Sequence, residues 1–359
     1  MRWICILFFL TCYSLFSQEQ RSISTAFPFL LLSTDAIASG KGDIGIASKP
    51  DVFSQHWNSA KYVFSEHPMK IGMGYTPYLN SLVRDIFLGN ISYYWKNNRS
   101  AWATSLKYFS IGDVTLTQDF GSETYILGDF RPAEFAFDVS YNLKLSEYFA
   151  MGVLARYLRS DLRLPTDEKS VGSGFSFDIS GYYKSKEHLL GKYFGKYAFG
   201  FQLSNIGKKV KYDDLGKEFF IPTNLKIGSM YSLQTEMLNE FSLLVEFNKL
   251  LVPTLSQGND DVDFLQGIFK SFSDAPNGFS EELQEISWAL GFEYVYDKSL
   301  FLRTGYFNQH KNKGDRKYIT LGAGFAMRSW QLDFSYLIPT TQTENPLRNS
   351  LRVCLQYSF

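Results

Sequence analysis

The sequence predicts an all-β protein: a transmembrane β-barrel of the outer-membrane type, with about 14 antiparallel strands and an N-terminal hatch lying in its lumen. Three observations predict it. Apolar and polar residues alternate with period two in segment after segment, the connections between segments are alternately short and long, and aromatic side chains gather at one end of the segments. Composition agrees. Of 359 residues 45% are apolar and only 20% charged, and the 33 Phe, 23 Tyr and 6 Trp favour pleated surfaces and membrane–water interfaces. A mean hydropathy of −0.16 is far below that of a helical membrane bundle. Thirty-six Lys and Arg balance 36 Asp and Glu, which removes the long-range field expected of a nucleic-acid binder.

Residues 1–17 read as a secretory signal peptide: Arg2 is a short cationic start, positions 3–16 are mostly apolar, and Ser17 offers a small residue at the cut. The run is shorter than the roughly 20 residues a spanning helix needs. Cys12 would suit a lipoprotein, but Thr11 stands where a smaller residue normally precedes the lipidated cysteine. Cleavage takes Cys5 and Cys12 and leaves Cys354, so neither an internal disulfide nor a cysteine metal site is expected. Residues 18–63 are too rich in Gly, Ser and Asp to face lipid, yet too apolar at 27–32 to be a free tail. They are expected to form the hatch that fills a wide barrel, and residues 64–359 the barrel itself.

Within the barrel, 134–143 shows the pattern: Phe135, Phe137, Val139, Tyr141 and Leu143 alternate with Glu134, Ala136, Asp138, Ser140 and Asn142. A soluble sandwich also alternates, so connection lengths must decide. Strands are expected near 68–78, 86–95, 101–110, 133–143, 147–158, 173–183, 196–206, 222–232, 240–250, 286–296, 300–309, 317–327, 330–338 and 349–359. Short turns at 96–100, 144–146, 297–299 and 328–329 then fall on one side, and long loops at 111–132, 159–172, 207–221 and 251–285 on the other. Turns 184–195 and 233–239 are longer than this rule allows. Trp95, Trp102, Tyr183, Tyr197, Tyr296, Trp330 and Phe359 fall on the outward face beside the short turns, as an interfacial girdle does. The last strand alternates up to Tyr357 and Phe359, resembling the terminal signal read by outer-membrane assembly machinery.

Local sequences carry a family resemblance. Pro28-Phe29-Leu30, Asp35-Ala36, Gly40-Lys41-Gly42-Asp43 and the run from Ser54 through Trp57-Asn58 to Ala60 resemble the hatch of FadL-like barrels. More closely, they resemble the PorV family, the outer-membrane barrels of the type IX secretion system. The likeness continues in Tyr75-Thr76-Pro77, 106–110, Ser204-Asn205-Ile206-Gly207, 220–225 and 248–254. Phe29, Asp35, Gly40, Gly42, Asp43, Trp57 and Asn58 are thereby marked as hatch residues, while Ser59 and Lys41 depart from the usual hatch pattern. The resemblance implies a non-enzymatic protein of the bacterial outer membrane with its loops at the cell surface. Its implied partners are a type IX translocon barrel, a sortase-like attachment subunit and the C-terminal signal domains of secreted cargo, in a bilayer that carries lipopolysaccharide. The alternative is a FadL-like transporter of hydrophobic small molecules such as long-chain fatty acids.

The chemistry-bearing residues add little. His56, His67, His188 and His310 stand far apart and lack metal-ligand spacing, so no metal or cofactor is expected. Glu134, Asp138, Arg156, Asp178, Glu246, Glu293, Arg303, Asp333 and Arg352 lie on the inward face, where a hydrated lumen with charge pairs to the hatch accounts for them. Gly40-Lys41-Gly42 lacks the remaining elements of a phosphate loop. In the longest loop, Phe264, Leu265, Ile268, Phe269 and Phe272 recur at helical spacing. This apolar helix face either contacts a partner or folds onto the barrel mouth.

Overall fold

The computed structural model describes residues 23–79, 83–120, 123–162, 171–212, 217–235, 237–253, 262–276, 278–341, 348 and 350–359; the expected signal peptide lies outside the described residues. The strands are β1 (Met69–Pro77), β2 (Phe87–Lys96), β3 (Ser100–Ser110), β4 (Val114–Phe120), β5 (Glu123–Phe130), β6 (Ala133–Lys144), β7 (Phe149–Asp161), β8 (Val171–Lys184) and β9 (His188–Leu190). They continue as β10 (Tyr193–Ile206), β11 (Asn224–Gln234), β12 (Asn239–Leu250), β13 (Ile286–Tyr296), β14 (Leu300–Asn308), β15 (Lys317–Met327), β16 (Trp330–Pro339) and β17 (Leu351–Ser358). Fourteen of them close an antiparallel barrel, in which β17 returns to β1 with Lys70 opposite Ser358 and Tyr75 opposite Val353. Every barrel strand expected from the alternation is present, with borders moved by only a few residues.

Three connections differ from expectation. Residues 111–132 hold the hairpin β4–β5, because Thr115, Thr117 and the facing residues of β5 sustain their own alternation and pair away from the barrel. The over-long turn at 184–195 holds β9, which pairs with the start of β10 (Leu190 opposite Tyr193) and prolongs that edge beyond the rim. The turn at 233–239 shortens because β11 and β12 pair out to Gln234 and Glu240.

The two faces of the barrel invert the arrangement of a soluble sheet. Outward residues such as Phe175, Phe199, Leu243 and Leu321 are apolar and exposed, whereas inward Asp138, Asn142, Arg156, Asp333 and Arg352 are buried. That is the pattern of a wall with lipid outside and packed polar matter within. Trp95, Trp102, Tyr183, Tyr197, Tyr296, Trp330 and Phe359 are all exposed beside the short turns, where the sequence places the girdle.

Residues 23–66 occupy the interior as short turns of helix: Pro28–Leu31, α1 (Ala36–Ser39), α2 (Ser54–Trp57) and Ser59–Phe64. The hatch is apolar at two levels. Phe27, Phe29 and Leu30 pack with Leu88, Phe109, Leu158 and Ile221 towards the long loops. Ile44, Val52, Phe53 and Tyr62 pack deeper, against Tyr94, Tyr182 and small wall residues such as Ala103, Ala198 and Ala289. Small wall residues let the hatch backbone come close. A Cβ added at Gly305 would lie 2.1 Å from the Lys41 carbonyl carbon, at Gly200 2.4 Å from the Ile46 oxygen, and at Gly74 2.5 Å from the Thr34 oxygen.

Candidate functional site

The hatch residues singled out in the sequence form two clasps. Asp35 caps α1, accepting the Ala38 N–H at 2.7 Å, and its second oxygen accepts the Trp57 indole N–H at 2.8 Å. Two stretches of hatch far apart in sequence are thereby joined through one buried carboxylate. Burial, reinforced by Asp51, pushes this carboxyl up to about 6 against the two N–H donors and Lys41. Asn58 caps the next turn and donates to the Ile46 carbonyl at 3.0 Å and to Gly181 of β8 at 2.9 Å. Lys61, fully buried, donates to the Gly45 carbonyl at 2.6 Å and the Ser48 hydroxyl at 3.0 Å. Burial pulls its ammonium down to about 8, the carboxylates of Asp51 and Asp35 opposing this.

The other clasp ties hatch to wall. Gly42, at φ 82°, donates its N–H to Thr320 at 2.9 Å, and Gly40 presses on Gly322. Asp43 accepts from Arg352 at 2.9 Å and from the Tyr318 hydroxyl. Burial alone would raise the Asp43 carboxyl, but the Arg352 charge and these hydrogen bonds hold it below its ordinary value. Glu246 of β12 accepts the backbone N–H groups of Gly45 and Ile46 at 2.9 and 3.0 Å. Phe29 stacks on Phe109 at 6.1 Å, and Lys226 lies over the Trp57 ring at 4.4 Å.

The inward charges do not line a simple water-filled lumen. Arg156 binds Asp138 at 2.7 Å and Asp178 at 3.2 Å, and Arg303 binds Glu293 and Asp333 at 2.6 Å each, so most pairs run between wall strands. Of the nine inward charges named from the sequence, Glu246, Arg352 and Glu293, the last with Lys41 at 3.7 Å, meet hatch groups among the described residues. The physical reason is that the hatch leaves little room for water, and a buried charge must then be met by a nearby partner. Asn205, in a left-handed conformation at φ 60°, links two of the stretches that carry the family resemblance, 204–207 and 220–225. It donates its N–H to Asp178 at 2.7 Å and its amide to Pro222 at 3.0 Å. His56 is also in the hatch, its Nδ1 3.0 Å from Lys107 Nζ; burial and the charge of Lys107 hold it neutral. A small polar pocket beside it, with room for little more than a water molecule, is lined by Lys107, Arg156, Asp178, Gln202 and Lys226 under Leu30 and Leu31.

At the long-loop end, α3 (Phe264–Lys270) and α4 (Phe279–Gln284) lie in the longest connection. The five apolar residues expected on one face divide instead. Gly267 sets α3 on the Phe220 ring, where a Cβ would approach to 2.8 Å, and this buries Ile268 at 8% exposure and half-buries Phe264. Leu265, Phe269 and Phe272 stay outside, at 49%, 75% and 50%, as does Phe279 of α4 at 78%. Ion pairs that the sequence does not announce hold α4 down. Lys249 bridges Glu282 at 2.9 Å and Glu285 at 2.6 Å, and Lys313 bridges Glu281 at 2.8 Å and Glu285 at 2.9 Å. Asp274, Glu282 and Glu285 converge within 4.8 Å, but the two lysines already answer Glu282 and Glu285. Tyr357 and Phe359, expected from the sequence to form an assembly signal, stack edge to face at 4.9 Å at the end of the closing strand.

The model of the family described as type IX secretion system protein PorV matches residues 16–257. The chain belongs to the PorV family. A PorV-family barrel of this kind is an outer-membrane protein of type IX secretion. Among solved structures, it is similar to the toluene transporter TodX of Pseudomonas putida (TM-score 0.52, 10% identity, covering 94% of this chain and 99% of that one). It is likewise similar to the toluene transporter TbuX of Ralstonia pickettii (TM-score 0.50, 10% identity, 92% and 100%) and to a FadL homologue of Pseudomonas aeruginosa (0.46, 12%, 92% and 99%). At such identity the likeness to the transporters concerns the barrel fold alone. No curated protein matches the PorV-family chain significantly.

Proposed function

We propose that this PorV-family barrel receives secreted proteins from a type IX translocon barrel through their C-terminal signal domains and carries them to a sortase-like attachment subunit. It does so without catalysis. In this reading residues 1–17 are removed on export, the short turns face the periplasm, and the long loops stand at the cell surface among lipopolysaccharide. Family membership is the observation that carries it, and the closed lumen supports it. A conduit for apolar molecules, as the names of the similar transporters suggest, needs an apolar path. Here the space beside the hatch is lined by Lys107, Arg156 and Asp178, against which an apolar ligand gains little burial. Binding is better served by the long-loop face, where Leu265, Phe269 and Phe272 are exposed on and just after α3, beside an α4 pinned by Lys249 and Lys313.

Changing Leu265, Phe269 and Phe272 together to Ser tests this. Each side chain of this kind is worth about 1.5–3 kcal/mol when fully buried in a complex, so their loss weakens a partner by orders of magnitude. Because all three are already exposed, barrel abundance should be unchanged while cargo falls from the cell surface and a translocon or attachment partner no longer co-purifies. Retained surface cargo with failed uptake of a long-chain apolar ligand would reverse the reading in favour of transport.

A further inference from the structure

The hatch leaves the lumen at the short-turn end through Phe64, and there the wall is electrically unbalanced. Three turns, 96–99, 144–148 and 184–196, hold seven Lys or Arg against two Glu, in a chain whose net charge is zero. Lys96, Lys144 and Lys184 end β2, β6 and β8. Trp95, Tyr141 and Tyr183 are exposed on the lipid side, so period two turns these three lysines to the inner rim. Lys184 confirms the direction: its Nζ lies 4.5 Å from the centre of the Phe64 ring.

Alternate strands of a sheet stand roughly 10 Å apart, close to the screening length of about 8 Å at physiological salt. The lysines therefore sense one another. Repulsion from Lys144, Lys196 and Lys96 acts on Lys184, with Glu147 offsetting part of it, while Lys196 itself pairs with Glu187 at 2.7 Å. Among the described residues no carboxylate forms an ion pair with Lys96, Lys144 or Lys184. Across the same rim the charges are balanced, Lys49 meeting Glu240 at 2.5 Å and Lys298 meeting Glu66 at 3.3 Å. A concave rim of one sign attracts an anionic partner. Lipid headgroups meet the outward girdle rather than this inner rim. The partner must therefore come from the aqueous space beneath the hatch.

We propose that the inner rim at the short-turn end binds an acidic peptide segment of a soluble partner, its carboxylates meeting Lys96, Lys144 and Lys184. This site lies at the end of the barrel opposite the surface proposed for cargo and is independent of that reading. The test uses the purified full-length barrel in a zwitterionic detergent and a labelled oligoglutamate peptide, with binding read by fluorescence anisotropy. The parent should bind, and binding should weaken at least about tenfold between low and high salt, as counter-ions screen the rim. The triple variant Lys96→Gln, Lys144→Gln, Lys184→Gln should lose at least tenfold in affinity. A control triple at the long-loop end, Lys208→Gln, Lys270→Gln, Lys311→Gln, should bind as the parent does. Heat-modifiable mobility verifies closure of each barrel; if the rim triple does not close, Lys144→Gln alone should still weaken binding several-fold. Absence of binding by the parent, or equal binding by rim and control variants, overturns the proposal. So does a headgroup occupant: in nanodiscs containing phosphatidylglycerol, peptide binding abolished by the anionic lipid and unaffected by its zwitterionic counterpart would assign the rim to lipid.

Discussion

Replacing Glu246 by Ala removes a wall acceptor shared by two adjacent hatch amides. Its Oε2 takes the N–H of Gly45 at 2.9 Å and of Ile46 at 3.0 Å, all within buried surroundings. Alanine leaves both N–H groups without an acceptor, at about 1–3 kcal/mol each, so hatch docking weakens by about 2–6 kcal/mol. At the middle of that range, about 4 kcal/mol, openings that expose these amides become roughly a thousandfold more frequent, one decade per 1.4 kcal/mol. Glutamine keeps an oxygen in place and forfeits only the charge assistance, which is about half the strength of such a bond. The order of protection should therefore be parent, then Glu246→Gln, then Glu246→Ala. Hydrogen exchange followed by mass spectrometry on peptides spanning 42–48 reads this directly in the purified barrel, with β12 as internal reference. Unchanged protection of Gly45 and Ile46 in the Ala variant would refute the docking argument, and equal loss across β12 would show that the wall had failed instead.

Asp35 makes hatch stability depend on pH. Its carboxyl is raised from 3.8 to about 6, so its contribution is fully present below about 3.8 and is lost as pH rises through 6, a swing of about 3 kcal/mol at most. The unfolding midpoint of the parent, relative to Asp35→Asn, should fall between pH 4 and 6 and level off above 7; parallel curves would dismiss Asp35 as the titrating group. For sidedness, a cysteine at Ser280 in α4 should react with an impermeant maleimide on intact cells, and one at Lys298 should not; the opposite labelling would invert the barrel. Deleting Phe359, whose ring is exposed on the closing strand against Tyr357, should lower the amount of heat-modifiable barrel in the outer membrane, and wild-type abundance would deny it an assembly role.

The barrel was legible because each strand reports its own environment. Where Phe135, Phe137 and Val139 alternate with Glu134, Ala136 and Asp138, lipid and lumen impose opposite demands on neighbouring residues, and that demand is local enough to be read without knowing which strands pair. Closure needed only the count of strands and the alternation of short and long connections. The hairpin β4–β5 escaped notice because it pairs only with itself, and a long connection between barrel strands reads equally well as loop.

Interior partners were a different matter. Asp35 and Trp57 stand 22 positions apart, and Asp43 and Arg352 309 apart, so their contacts depend on how the hatch is seated and leave no periodic trace. The inward glycines Gly74, Gly200 and Gly305 carried the available signal, since a strand glycine facing a filled lumen marks where another backbone approaches. On α3, helical spacing placed Phe264, Leu265, Ile268, Phe269 and Phe272 together, but the side turned to the barrel was chosen by Gly267 fitting the Phe220 ring. Amphipathic periodicity, together with the connection lengths and the aromatic girdle, thus determined from sequence that this protein is a lipid-facing barrel. Only the tertiary structure decided which charges meet, which aromatics stay exposed and how the hatch is held, because these depend on shape complementarity between segments that the chain brings together only on folding.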